Sequence, residues 1–358
     1  MHSELVMTAV KALTIVGARP QFVKVAAVAR AFDELGLVQN IIVHTGQHFD
    51  HSMSGLFFEE LMIDPPAYQL EISGGRHGSM TGRMMERVEP VLEAEMPDIV
   101  VIYGDTNSTL AGALVAAKLH IPVAHIEAGL RSFNRKMPEE INRVVADHLS
   151  DLLLCPTKAS VDNLRDEGIT EGVYHVGDVM YDATLAAAPR AAEQSDVLHR
   201  LELEPKGFAL ATVHRAENTD SPSQLRKIMT YLSAAAAGQK VVLPLHPRTC
   251  IAMSKIGLVP ERVQMIDPVG YLDMQQLIAN ASLVLTDSGG VQKEAYFHKV
   301  PCVTLRDETE WVETIEAGWN RLWRDPEYRS RVKIEEYGDG TSAKTCAKLI
   351  VQLAQNRL

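Results

Sequence analysis

Short aliphatic runs alternate with longer amphipathic stretches along this chain, and the alternation starts afresh halfway through. In the first half, residues 12–16, 40–43, 98–103, 123–126 and 152–155 are aliphatic or β-branched runs of strand length. Between them, 22–35, 80–95 and 108–119 carry apolar residues at helical spacing. Runs that are apolar on successive residues suit strands buried on both faces of a parallel sheet. Strand–helix alternation of this kind predicts a doubly wound α/β domain. The second half repeats it, with strands over 208–212, 240–245, 263–266, 283–286 and 302–305 and helices over 223–237, 271–280 and 291–297. The changeover falls at 174–182, where YHV meets a Gly-Asp turn, and 343–356 reads as one terminal helix. The predicted fold is therefore α/β, with two Rossmann-like domains facing across a cleft: 1–175 and 176–342, with 343–358 as a terminal helix. A length of 358 residues suits two domains.

Charge and cysteine usage narrow the function classes. Thirty-five Lys and Arg against 46 Asp and Glu leave a formal net charge of −11, so the chain has no general attraction to nucleic acid or to anionic lipid. Cys155, Cys250, Cys302 and Cys346 are far apart and form no CxxC pattern, which fits a reduced, cytoplasmic setting. No apolar stretch approaches 18 residues, so no membrane span is expected, and the N-terminus reads as no signal peptide.

In open α/β sheets, ligands sit beyond the carboxyl ends of the strands, and the chemistry-bearing residues cluster there. GARPQFVK follows the first run: Gly17 allows a tight turn, Pro20 suits a helix start, and Arg19 and Lys24 add positive charge where free helix N–H groups favour an anion. The bland reading is a βα turn with two surface bases. Asp105, in YGDTNS, ends another strand; alone it reads equally well as a helix N-cap. Glu127, in AHIEAGLR, and Glu139, in MPEEINR, add two carboxyls to the same edge, a route to general acid–base work near neutral pH. Glu139 could instead only decorate a helix dipole, and Arg131 and Arg143 could neutralise the acids. In the second half, TVHRAEN places His214 beside Arg215 in a turn suited to phosphate. LHPRT places His246 and Arg248 at a strand end, for packing or for ligand contact. TDSGGVQKE leaves the amides of Ser288, Gly289 and Gly290 open at a helix start, with Glu294 placed to reach a ribose diol. There is no GxGxxG, no Walker A sequence and no CxxC spacing, so neither a nicotinamide nor a metal is expected. His44, His48 and His51 have no acid or Cys spacing to support a metal site and read as a loop lining the cleft.

Taken together and in order, GARPQFVK, TGQHFDHSM, GDTNSTLAGALVAAKLHIPVAHIEAGLRS, MPEEINR, TVHRAEN and TDSGGVQKEA resemble the non-hydrolysing UDP-N-acetylglucosamine 2-epimerases, over most of the chain. The resemblance implies a GT-B-like fold whose C-terminal helix crosses back to the first domain, a UDP-sugar substrate, no cofactor and a homodimer. It implies UDP contacts from Arg19, Lys24, His214, Ser288, Gly289, Gly290 and Glu294. It implies catalytic work from Asp105, Glu127, Glu139 and His214. The implied reaction expels UDP from C1 while a base takes the C2 proton, giving a 2-acetamidoglucal to which UDP adds back after reprotonation on the other face.

Several positions depart from the family's usual pattern. Gly-Thr-Arg-Pro-Glu is here Gly-Ala-Arg-Pro-Gln, and an arginine near the phosphates or sugar is here Trp311. Phe49 and Asp50 alter the segment that in some members binds an allosteric UDP-GlcNAc. These variants resemble the branch acting on UDP-2,3-diacetamido sugars, including the uronic acid form.

Overall fold

The computed structural model of the chain describes residues 9–46 and 58–357. His48, Phe49, Asp50 and His51 lie outside the described residues. The first sheet contains β1 (Val10–Val16), β2 (Val38–His44), β3 (Tyr68–Gln69), β4 (Ile99–Tyr103), β5 (Val123–Ile126), β6 (Leu152–Cys155) and β7 (Val173–His175), in the order β3-β2-β1-β4-β5-β6-β7. The second contains β8 (Phe208–Thr212), β9 (Lys240–Pro244), β10 (Val263–Ile266), β11 (Leu283–Thr286), β12 (Cys302–Thr304) and β13 (Asn320–Leu322), in the order β10-β9-β8-β11-β12-β13. All neighbouring strands are parallel. Both orders are the Rossmann 3-2-1-4-5-6 arrangement, and the first sheet adds a seventh strand.

Each sheet anchors a compact unit. One runs to Ala183 and takes in the chain from Glu335 onward; the other is Thr184–Ile334. In the first, β4 is buried at every residue, and Leu13 lies in register with Ile41 on one side and Val100 on the other. In the second, β8 is buried throughout, beside Val241, Val242 and Leu285. Each such aliphatic side chain contributes about 1.5–3 kcal/mol when fully buried, which is why unbroken apolar runs settle at the sheet centres.

The helix Arg19–Leu35 has Pro20 in its first turn and ends at Gly36, whose left-handed φ of 64° lets its N–H donate to Phe32 and Asp33 carbonyls. The terminal helix Ser342–Gln355 buries Ala343, Cys346, Ala347, Ile350, Val351 and Ala354, one helical stripe, and packs on that first helix. Lys344 pairs with Glu34 at 2.8 Å, and the Asp182 carboxylate accepts the Ala343 N–H at 2.7 Å. The last helix thus belongs to the first unit. No described helix is long and apolar enough to cross a membrane.

Both strand orders reverse at one point, between β1 and β4 and between β8 and β11. At such a switch point the connections leave in opposite directions and a crevice opens beyond the strand ends.

Candidate active site

At the first switch point Gln21 ties the two strand ends together. Its side-chain oxygen accepts from the Gly17 and Ala18 amides (2.8 and 3.0 Å), and its nitrogen donates to the Tyr103 carbonyl (2.8 Å) and to Thr106 (3.0 Å). The position needs both an acceptor and a donor, which an amide supplies and a carboxylate does not. This gives a physical reason for glutamine rather than glutamate here.

Gly104 follows β4 with φ 59° and donates its N–H to Ile126 at 3.0 Å. A Cβ there would come within 3.1 Å of a Glu127 oxygen and 3.4 Å of the Lys24 ammonium. Those two side chains form an ion pair directly over the glycine, and both are nearly buried. Glu127 has φ 71°, a left-handed conformation that is rare and strained for a glutamate and that recurs at functional positions. The Arg19 side chain lies outside the described residues.

Asp105 is held from three sides. Its carboxylate accepts from the Arg143 guanidinium at 2.5 Å, its carbonyl accepts from Asn142 at 2.9 Å, and the carbonyl before it, of Gly104, accepts from His125 Nε2 at 2.7 Å. Arg143 is buried and also reaches Glu140 at 3.1 Å. Glu140 in turn accepts from the amides of Ser132 and Phe133. Glu139 is half-buried in the first turn of the Pro138–Leu149 helix, four residues before Arg143 and so on the same helix face.

Of the two arginines considered as partners for the acids, Arg143 meets Asp105 and Glu140. Arg131 turns away to Asp147 and Glu167, at 2.7 Å each. Asp147 also accepts from His125 Nδ1 at 2.7 Å. Burial alone would raise the Asp147 pKa, but the bonds and charges of His125 and Arg131 outweigh it and hold the carboxyl below its usual range. A buried polar network thus fixes the backbone on which Asp105 stands.

At the second switch point the organising residue is Asp287. It is fully buried and accepts from the His214 and Arg215 amides (both 3.0 Å) and from Asn218 (2.9 Å). It therefore shapes the loop carrying His214, whose ring stacks on His246 with centroids 5.4 Å apart. Loss of solvent in this loop, with Arg215 and Arg248 nearby, lowers the His214 pKa against the pull of Asp287. His246 is exposed and its Nδ1 accepts the Arg248 N–H at 3.2 Å, while the Arg248 side chain pairs with Asp220 at 2.9 Å on the surface.

The helix Gly289–Phe297 starts just after β11. Its N-cap Ser288 makes no side-chain capping bond, so the first amides remain open to an anion. Glu294, on the same helix, accepts from Gln275 at 2.8 Å, and Gln275 also meets His298 at 2.7 Å. Burial lifts the Glu294 pKa from 4.5 to about 7, against the opposing pull of the Gln275 bond and the Lys293 charge.

Because this shift is upward, the fold gains from the neutral carboxyl. That gain is complete below about pH 4.5 and is lost as pH rises through about 7, to the order of 3 kcal/mol. Glu294→Gln is therefore expected to raise the melting temperature of the unliganded protein at pH 8 and not at pH 4. Equal shifts at both pH values in scanning calorimetry would contradict this.

Among the described residues the structure thus brings Lys24, Asp105 and Glu127 together with Arg143 at one switch point, and gathers His214, Ser288, Gly289 and Gly290 with Arg215 at the other. Sequence reading missed Asp287, Gln21 and the His125–Asp147 pair. Asp287 stood inside a motif already singled out; a buried Asp next to an open helix start was the available signal. No group of three or more His, Cys, Asp or Glu among the described residues is placed to hold a metal ion.

The sequence model of the family described as UDP-N-acetylglucosamine 2-epimerase matches residues 30–350. The chain is 55% identical over 316 residues to the UDP-2,3-diacetamido-2,3-dideoxy-D-glucuronate 2-epimerase of Pseudomonas aeruginosa, covering 87% of this chain and 88% of that one. It is 44% identical over 322 residues to the UDP-N-acetylglucosamine 2-epimerase of Methanocaldococcus jannaschii, covering 87% of each. The crystal structure of the M. jannaschii enzyme in complex with UDP-GlcNAc and UDP matches with a TM-score of 0.88 at 39% identity, over 96% of this chain and 99% of that one. With a family match over nine-tenths of its length, the same two Rossmann-like sheets and relatives this similar, the chain belongs to the UDP-N-acetylglucosamine 2-epimerase family.

Proposed function

We propose that this protein inverts C2 of a UDP-2-acetamido sugar without hydrolysing it. The observation that carries the reading is the group of carboxylates at the β4 and β5 ends, each tied to its own cation: Asp105 to Arg143 and Glu127 to Lys24. The C2–H of such a sugar has no adjacent carbonyl, so deprotonation needs a departing group. A base takes the C2 proton, the C2–H electron pair forms the C1=C2 bond, and the C1–O pair leaves with UDP. An acid then returns a proton to the opposite face of C2 while a UDP oxygen rebonds to C1. Asp105, Glu127 and Glu139 are the acid–base candidates. Each such positioned group is worth roughly 10²–10⁴ in rate.

UDP must stay bound through both halves of the cycle. The open amides of Gly289 and Gly290 donate to the diphosphate, and His214 donates a hydrogen bond as negative charge grows on the leaving oxygen. Glu294 binds the ribose hydroxyls. Run in D₂O, the product should carry deuterium at C2 with no free UDP accumulating. Product without deuterium overturns the elimination route, and stoichiometric UDP release points to hydrolysis or glycosyl transfer instead.

A second reading concerns the sugar, which we infer to be the 2,3-diacetamido uronate. Its support is the 55% identity to the P. aeruginosa protein, against 44% to the M. jannaschii one. Offering both UDP sugars and following C2 epimers by NMR separates the two. The same reading places the protein in the cytoplasm as a homodimer, and sedimentation equilibrium should give twice the 39.4 kDa chain mass.

A further inference from the structure

Phe133 turns an aromatic ring to solvent and holds its backbone in a shape that suits a phenylalanine poorly. The residue is 77% exposed. Its φ is 59°, a left-handed conformation that glycine or asparagine adopts far more readily. Met62 and Met96, the other apolar residues with such a φ among those described, close helical turns. Phe133 closes none. It lies in the connection between β5 and the Pro138–Leu149 helix.

The strain is imposed from both sides. Glu140, which is buried, accepts the Phe133 N–H at 2.9 Å, the Ser132 N–H at 2.8 Å and the Ser132 hydroxyl at 3.0 Å. The Asn134 N–H donates to the Ser132 oxygen at 3.3 Å. The Asn134 carbonyl accepts from Met137 at 2.9 Å, and its side chain accepts from the Lys136 N–H at 3.1 Å. The ring takes no part in these bonds. Glycine would relieve the backbone, and a polar side chain would suit the water, so the turn itself gives no reason for a phenylalanine. Strained residues that their surroundings hold fast recur at ligand clamps. The location names the ligand. The connection leaves the carboxyl end of β5, where Glu127 stands, and the carboxylate that holds Phe133 also holds Arg143 at 3.1 Å, which in turn holds Asp105. Ring and acid–base carboxylate are thus mounted on one rigid framework.

We propose that Phe133 is a sugar-contacting residue, whose ring packs on the C–H groups and the acetamido methyl of the UDP-linked sugar. The inference rests on the UDP-sugar reading above and adds a binding residue to it. A pyranose carries apolar C–H surface between its hydroxyls, and an aromatic ring covers such surface without adding a charge beside the carboxylates. UDP alone has no such surface to offer. Because the connection is fastened beforehand, the sugar does not have to order it on binding.

Phe133→Gly removes the ring and suits the φ. Calorimetry with UDP, and with each of the two UDP sugars named above, reads the nucleotide and sugar ends of the ligand separately. The variant is expected to bind UDP as the unchanged chain does. It should bind the UDP sugar about 10- to 100-fold more weakly, the range for a buried aromatic side chain, and kcat/KM for C2 inversion should fall by a similar factor. Its unliganded melting temperature should hold or rise, where loss of a packing residue would lower it. Phe133→Tyr should restore sugar binding. Should Phe133→Gly fail to fold, Phe133→Asn decides, since asparagine also tolerates this φ. UDP and UDP sugar weakened alike, or neither weakened, overturns the proposal while leaving the epimerase reading intact. So does a sedimentation mass that falls when the ring is removed, which assigns the ring to a contact between copies. Failure of the unchanged chain to exchange the C2 hydrogen of either UDP sugar in D₂O overturns both.

Discussion

Asparagine at position 105 is expected to lower kcat by about 10²–10⁴-fold while leaving UDP affinity close to that of the unchanged chain. The substitution is nearly isosteric and strikes one function. The Asp105 carbonyl stays held by Asn142, the Gly104 carbonyl by His125, and Arg143 keeps its second partner Glu140. The groups assigned to hold UDP on the second unit are untouched. A fold-level explanation for lost activity can be tested directly, because the Asp105 side chain is 30% exposed and the variant should melt within a few degrees of the original. Steady-state kinetics, C2 hydrogen exchange in D₂O and UDP calorimetry read the three quantities separately. Unchanged kcat removes Asp105 from the acid–base set. Lost UDP binding reassigns it to substrate binding.

The strands that were easiest to read in the sequence are those whose physics is local. Residues 123–126, 152–155, 208–212, 263–266 and 283–286 are strands over those residues, because a short aliphatic run between turns has few other places to go. Tyr68–Gln69 and Asn320–Leu322 carry no such run, and only pairing with β2 and β12 makes them strands. Helix starts moved outward for a related reason. The helix anticipated from residue 22 begins at Arg19 and that from 291 begins at Gly289, since Pro20 and Gly289 suit first turns but lie before the apolar stripe. At the site, charged groups at strand ends were legible as types. Their partners were not: nothing in the spacing tells Arg143 from Arg131, yet one meets Asp105 and the other Asp147. His125 and Asp147 were invisible because a buried polar pair follows no periodicity. It is specified by three elements meeting, which only the tertiary fold records.

Arg143→Met should produce the largest loss of stability among single changes at the site, about 3 kcal/mol and near the low end of the 3–5 kcal/mol range for breaking a buried ion pair. The low end is expected because the two stranded carboxylates differ. Asp105 is exposed enough to recover water, whereas Glu140 is buried but keeps the Ser132 and Phe133 amides and the Ser132 hydroxyl. Arg143→Lys should recover only part of the loss, since one ammonium cannot serve both carboxylates as a guanidinium fork does. Turnover should fall with both variants, because Asp105 loses the group that aims it. The partition follows from a cycle. Adding Glu140→Gln to Arg143→Met removes the remaining buried charge and should return part of the stability, but little of the activity. Adding Asp105→Asn should return less stability still. Urea unfolding measures all of these. If the Arg143→Met and Glu140→Gln effects simply add, within about 0.5 kcal/mol, the two residues do not act as a unit. Arg143 would then act as a partner of Asp105 alone, and the rigid footing assigned to that carboxylate would have to come from His125 and Asn142.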